Sequence, residues 1–367
     1  MKKLLALILT AATLLTLVAC GSKYKPVAST ESELKVIARL ELDGKTYDVK
    51  YELYRALFLS NKTAVDGGDN SVWSGENADE YVSKINEIIF NKASIIYSAI
   101  HTAESLGYDM YSSEVDDAIE EYIRISVEGN GDNVTGHGSY DAFLASLKES
   151  NMNYAVGELM FRYAIAMQKI NEYYVGNVDA LGESNAEFEF TEANVRDFYF
   201  GEDCVRLLNA FVQEGIRDYN GMLDMRETID MKATDLEVAY YIIGATSMTA
   251  SEILYDGKVT GTVVGRYALD SAYYSEYTEA AFATKSGDVS EIITISGIND
   301  GYSDGYYLVY VLDKSEAYYT EHYDEISAEY VSNAIGKLLY DTAAGLRGRI
   351  SYTDNYSALS HAEIGMN

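Results

Sequence analysis

Proline is almost absent from this chain: one residue, Pro26, in 367, and it lies near the N-terminus. Nothing beyond it removes a backbone N–H or locks φ, so long uninterrupted helices and strands are allowed. Cysteine is nearly as scarce, with Cys20 and Cys204 alone. One disulfide at most is possible, and the core must supply stability without a covalent framework. The four histidines, His101, His137, His322 and His361, are scattered and show no Cys/His spacing of a zinc site. Each reads as structural or solvated, and no cofactor or metal is expected. Positive charge is the third shortage, since 28 Lys and Arg face 58 Asp and Glu, for a net charge of −30. Such a chain repels phosphate backbones, which excludes nucleic-acid binding, and it repels anionic lipid headgroups as well. Apolar mass is plentiful: 48% hydrophobic and 12% aromatic residues exclude general disorder. Many of the 34 tyrosines suit core or rim positions, and a surplus on a concave face would suit peptide or glycan binding. Composition does not separate these readings.

The N-terminus has a signal pattern. Lys2 and Lys3 precede an apolar run from Leu4 that is too short to span a bilayer comfortably. It ends in Leu17-Val18-Ala19-Cys20, which resembles the lipobox of bacterial lipoproteins. The resemblance implies a signal peptide over residues 1–19, lipidation at Cys20, and an extracytoplasmic chain anchored to the bacterial cell membrane. The competing reading is an ordinary signal peptide with an incidental cysteine. Residues 20–33, the lipidated cysteine and a polar stretch without apolar periodicity, read as a flexible tether. No ATP is available outside the cytoplasm, so any work there runs on binding energy. With Cys20 acylated, Cys204 remains as a lone thiol. It heads the apolar run Val205 to Val212 and reads as buried and structural rather than nucleophilic.

Ala38 to Tyr47 alternates apolar and polar residues through Asp43-Gly44, a strand–turn signal. Helical spacing follows in Tyr51, Tyr54, Leu57 and Phe58, then a Gly/Asp/Asn-rich loop over 61–80. A long amphipathic helix from about Tyr81 to Leu106 carries Ile85, Ile89, Ile96 and Ile100 on one face, with Gly107 as its left-handed cap. Ser113-Glu114-Val115-Asp116 opens the next helix as a capping box, with Val115, Ile119, Tyr122 and Ile123 inward. Two more helices are expected, Tyr140 to Ser150 and Tyr154 to Val175, and a short one begins at Thr191. Near residue 203 the period changes. Cys204–Val212, Tyr240–Ile243, Glu291–Ile295 and Tyr306–Leu312 are β-like runs, interleaved with helical candidates at 214–230 and 273–284. From Tyr318 helix returns, with Ile326, Tyr330, Ala334 and Leu338 at fourfold spacing.

This order of parts resembles the SurA/PrsA-type extracytoplasmic foldases. The helical part carries the likeness in Leu42-Asp43-Gly44-Lys45-Thr46, then Ala103-Glu104-Ser105-Leu106-Gly107-Tyr108 leading into Ser113-Glu114-Val115. Phe143–Leu147, Asn151, Leu159 and Arg162 continue it. The later part is similar to the second half of a parvulin-type peptidyl-prolyl isomerase domain, in Gly265-Arg266-Tyr267, Tyr277-Thr278-Glu279-Ala280-Ala281-Phe282, Ser286-Gly287-Asp288-Val289-Ser290 and Gly305 to Val311. The resemblance implies an α+β fold. A mostly helical chaperone-like domain over 34–200 would be interrupted by a parvulin-like domain over 201–315. A C-terminal helical segment, 316–367, would return to the helical domain.

The departures bear on activity. Parvulins carry a histidine on the first strand and another on the last, where Asn209 and Tyr307 stand here. A histidine pair shares a proton across a hydrogen bond, which Asn and Tyr do not reproduce near neutral pH. Tyr267, Tyr273 and Tyr277 fall near the family's apolar substrate pocket, with Phe282 closer to core; ordinary packing of these tyrosines is the competing reading. The leading expectation is a chaperone that binds unfolded or nascent secreted polypeptides through an inactive or weak isomerase domain. An isomerase with a substituted site and, less in keeping with the pattern, a solute- or glycan-binding lipoprotein stand beside it. The acidic loops Val65–Asn70, Glu128–Asn133 and Asn299–Gly305 lack calcium-loop spacing and read as solvated. Oligomeric state is left open.

Overall fold

A computed structural model describes residues 24–131, 134–176, 187–213, 215–246, 248–268, 275–295 and 305–366. The signal stretch, Cys20 and Tyr273 lie outside the described residues. The chain is α+β and mostly helical. In order come β1 (Val36–Leu42), β2 (Lys45–Lys50), α1 (Tyr51–Asp66), α2 (Ala78–Ser105), α3 (Ser113–Glu128), α4 (Tyr140–Glu149) and α5 (Tyr154–Val175). Next are α6 (Glu192–Phe200), β3 (Cys204–Gln213), α7 (Tyr219–Asp230), α8 (Asp235–Ala245), α9 (Ala250–Ile253), β4 (Leu254–Tyr255), β5 (Lys258–Val259) and β6 (Thr262–Gly265). The rest are α10 (Ser275–Ala283), β7 (Ile293–Ile295), β8 (Gly305–Leu312), α11 (Glu316–Glu321), α12 (Tyr323–Arg347), β9 (Ile350–Tyr352), α13 (Asp354–Ser357) and α14 (His361–Met366). Two compact units divide them: Met1–Asn185 with Leu339–Asn367, and Ala186–Leu338.

In the first unit the β1–β2 hairpin turns through Asp43 and Gly44, both left-handed at φ 49° and 78°, the backbone that a two-residue Asp-Gly turn requires. Strand β9 adds to the other edge of β1. Helix α2 buries Ile85, Ile89, Phe90, Ala93, Ile96, Tyr97, Ile100 and Ala103 at three- and four-residue steps, and α1 and α5 pack on it. At its end Tyr108 N–H bonds Ala103 O at 3.1 Å and Gly107 N–H bonds Glu104 O at 3.1 Å, with Gly107 at φ 97°. These two bonds satisfy carbonyls that the helix end would leave open. The cap of α3 is Ser112, accepting from Val115 N–H at 3.4 Å, one residue before the expected Ser113. The stretch read as a tether is docked from Tyr24 onward. The Tyr24 hydroxyl donates to Glu128 at 2.6 Å, and its ring lies 5.2 Å from that of Tyr140.

The second unit is built on an antiparallel sheet in the order β6-β3-β8-β7. One face packs Leu208, Ala210, Val212, Leu308, Tyr310 and Leu312 against Met222, Met225, Ile229, Val238 and Ile242 of α7 and α8. Val205, Leu207, Tyr307, Val309 and Val311 turn to the other face, where α10 contributes Tyr277 and Ala281. Tyr240–Ile243, expected as a strand, is the second half of helix α8. A short apolar run fits either state, and Thr234, accepting from Glu237 N–H at 3.3 Å, decides for helix by capping its start. The buried positions of α12 in this unit are Ile326, Val331, Asn333, Ile335 and Gly336, with Tyr330, Ala334 and Leu338 half-buried beside them. A Cβ on Gly336 would stand 1.5 Å from Tyr267 O, so this close approach of helix and chain requires glycine.

Candidate functional site

Strand alternation sets the site. On β3, Asn209 and Phe211 are two residues apart and share the face of Val205 and Leu207. Asn209 stands opposite Val309 on β8, and Phe211 opposite Tyr307. Asn209 and Tyr307, the two positions singled out in the sequence, are thus diagonal neighbours on one face. The Phe211 and Tyr307 ring centroids lie 4.7 Å apart. Tyr277, on α10, meets the Tyr307 ring edge-on at 6.0 Å. Tyr277 and Tyr307 are both buried, at 6% and 5% exposure, so they form an aromatic floor and not a rim.

Asn209 gives this face its polar character. Its Oδ1 is buried and, among the described residues, has no hydrogen-bond partner. A buried acceptor left without a donor costs about 1–3 kcal/mol, so such a group persists where something outside the fold uses it or where the cost is tolerated. The arrangement offers an acceptor beside two rings in contact at a tilt of 33°. A bound peptide presents the complement, a backbone N–H beside an apolar side chain.

Tyr267 follows β6 and is anchored to α12: its N–H donates to Asn333 Oδ1 at 2.8 Å, and Lys337 Nζ lies 5.0 Å from its ring centre. The structure brings together Asn209, Tyr307 and Tyr277 and holds Tyr267 by this separate set of contacts. Phe282 is half-buried, with the Arg266 guanidinium 4.3 Å from its ring centre. Phe211 was not singled out in the sequence, although its position two residues beyond Asn209 is the signal that places it on the same face.

On the opposite face of β3, Arg206 is buried. Its guanidinium donates to the carbonyls of Thr260 (2.7 Å), Val259 (2.6 Å) and Asp313 (3.0 Å), under the Tyr318 ring at 4.0 Å. This clamp fixes β3 against the segments flanking β6 and β8. Cys204 is 1% exposed, and burial pushes its thiol up to about 12, which leaves it protonated and inert. Among the described residues no group of three or more His, Cys, Asp or Glu is placed to hold a metal ion, and no helix is long and apolar enough to cross a membrane.

No family model matches the chain. No curated protein matches it either. Among solved structures it is similar to PrsA from Bacillus subtilis, at 14% identity, over 86% of this chain and 93% of that one, with a TM-score of 0.24. It is similar to the foldase protein PrsA from Streptococcus pneumoniae at 13% identity, over 88% and 98%, with a TM-score of 0.27. A third is the peptidylprolyl isomerase PrsA from Bacillus cereus, at 15% identity, over 91% and 99%, with a TM-score of 0.24. Superpositions this loose carry no argument about the activity of this chain.

Proposed function

We propose that this protein is an extracytoplasmic chaperone or foldase, anchored to the membrane through lipid on Cys20, that binds unfolded secreted polypeptides. The segment 201–315 serves as a parvulin-like domain inserted between the helical domain over 34–200 and its C-terminal return over 316–367. In this reading the insert binds peptide and does not isomerise it efficiently. The observation that carries it is the orphaned Asn209 Oδ1 on the aromatic face of Phe211 and Tyr307. Isomerisation needs a site that favours the twisted amide against a barrier of about 18–20 kcal/mol. An unpaired amide oxygen over an aromatic floor supplies binding for a peptide N–H and an apolar side chain, but no shared proton.

Exposed apolar side chains add to the reading. Met231 is 77% exposed and Tyr240 57% exposed, on and beside the helix that packs the opposite face of the same sheet. Such residues offer reversible contacts to apolar client segments, and release without ATP requires that affinity stay modest. The test is suppression of aggregation of a chemically denatured protein by the chain from Ser22. Stoichiometric suppression that weakens in Asn209→Leu is the expected result. No suppression at any ratio would overturn the proposal.

A further inference from the structure

The first unit holds a cavity of about 400 Å³ that the client-binding face does not use. Its walls include Tyr47, Tyr97 and Tyr111, with Leu53, Val156 and Leu159 as apolar lining. The Tyr47 and Tyr97 rings stack at 5.1 Å. Their hydroxyls are committed elsewhere: Tyr97 donates to Asp48 O at 2.9 Å and Tyr47 to Glu104 at 3.1 Å. Tyr111 is 56% exposed and forms the rim.

Three carboxylates, Asp48, Glu52 and Glu158, and two cations, Lys50 and Arg162, line this space. Arg162 is already balanced, bonded to Asp116 at 2.9 Å, to Glu158 at 3.1 Å and to the Met110 carbonyl. Asp48 pairs with Arg39 at 3.3 Å. Glu52 differs from both. It is 8% exposed, and its Oε2 accepts from Ser29 at 2.5 Å and from Asn153 at 2.8 Å, two neutral donors. Among the described residues no cation pairs with it. A buried carboxylate without a counter-charge is costly, and it is rarely kept where a neutral residue would serve.

We propose that this cavity takes the cationic side chain, lysine or arginine, of a bound polypeptide. The ammonium or guanidinium pairs with Glu52, and the methylene stem lies against the tyrosine wall, where an aromatic face adds to the attraction. The inference rests on the client-binding reading and deepens it, because it assigns the acidic protein a preference for basic segments.

The test is fluorescence anisotropy with a labelled unstructured peptide carrying one central lysine, beside its norleucine counterpart. Both are titrated with the protein, with Glu52→Gln and with Leu159→Trp, which fills the cavity and keeps the acid; far-UV circular dichroism checks each fold. The lysine peptide is expected to bind at least tenfold tighter than the norleucine peptide to the native protein. Both variants should bring the two affinities together and leave that of the norleucine peptide unchanged. Selectivity that survives in folded Glu52→Gln or Leu159→Trp would overturn the proposal. So would competition by free 1,5-diaminopentane at the concentrations where the peptide binds, which would mark a small-amine site. Equal binding of both peptides to the native protein overturns the cavity's role alone, whereas no binding of either peptide also overturns the client-binding reading.

Discussion

Each compact unit buries an arginine, and the two are neutralised in opposite ways. Arg162, in the helical unit, is held by the carboxylates of Asp116 and Glu158 and stands at a cavity where a further acid, Glu52, forms no ion pair among the described residues. Arg206, in the sheet unit, is sealed by three backbone carbonyls and the Tyr318 ring. Charge in the first unit therefore lines a cavity wall, whereas in the second it ties strands together. What the second unit leaves open is an amide oxygen on an aromatic face. Under the two proposals, one unit reads charge and the other reads a peptide backbone with an apolar side chain.

The largest expected effect breaks the second unit's frame and leaves the first alone. Gly336→Ala places a Cβ 1.5 Å from the backbone oxygen of Tyr267, and no rotamer relieves a clash with backbone. A loss of about 4 kcal/mol or more is expected, seen as an early melting step of the second unit by differential scanning calorimetry. Arg206→Met comes next. It leaves the Thr260, Val259 and Asp313 carbonyls without their donor, at about 3 kcal/mol in chemical denaturation. In the first unit, Tyr54→Phe removes the hydroxyl that donates to Asn86 at 2.7 Å and meets His361 at 2.9 Å, and should cost about 1–3 kcal/mol. If Arg206→Met costs less than Tyr54→Phe, the sealed arginine is not the staple described above.

Asn209→Leu sharpens the contrast, because stability and binding should move in opposite directions. Removing an unpaired buried acceptor leaves stability unchanged or raises it by about 1 kcal/mol, while peptide binding falls. The smallest effect is that of pH on the first unit. Burial holds His361 below its ordinary 6.5, so on acidification the unfolded chain takes up this proton before the folded one. The stability tied to the neutral ring is complete above about pH 6.5 and declines as pH falls toward the folded value. Thermal melting of His361→Gln should decline less than that of the native protein between about pH 7 and about pH 5.

Much of the helical unit was legible because its signals are local. Asp43-Gly44, Gly107 and the limits of α5 each follow from a turn residue, a cap or a clear period. Helix α8 was misread because it is apolar on both sides: Val238 and Ile242 face the sheet while Tyr240 faces outward, so no polar stripe gives away the helical period. On α12 the fourfold spacing catches Ile326 and passes over Val331 and Ile335, while Asn333 and Gly336 are buried positions that hydropathy does not mark. In the candidate site, strand alternation puts Asn209 and Tyr307 on one face, and the sequence carries that much. The Arg206 clamp was invisible, since its acceptors are backbone carbonyls that any sequence possesses. Glu52 was equally so, because a lone acid in a chain with 58 acidic residues carries no mark of burial.

The central claim, that the Asn209 face binds peptide without isomerising it, is tested most directly by a protease-coupled proline isomerisation assay. The chain from Ser22 would be compared with Asn209→Ala and Tyr307→Phe, and anisotropy would follow binding of the same prolyl peptide. The account predicts peptide binding with turnover at background in all three proteins. Turnover above background in the native chain that falls in both variants would contradict it and make the second unit a working isomerase.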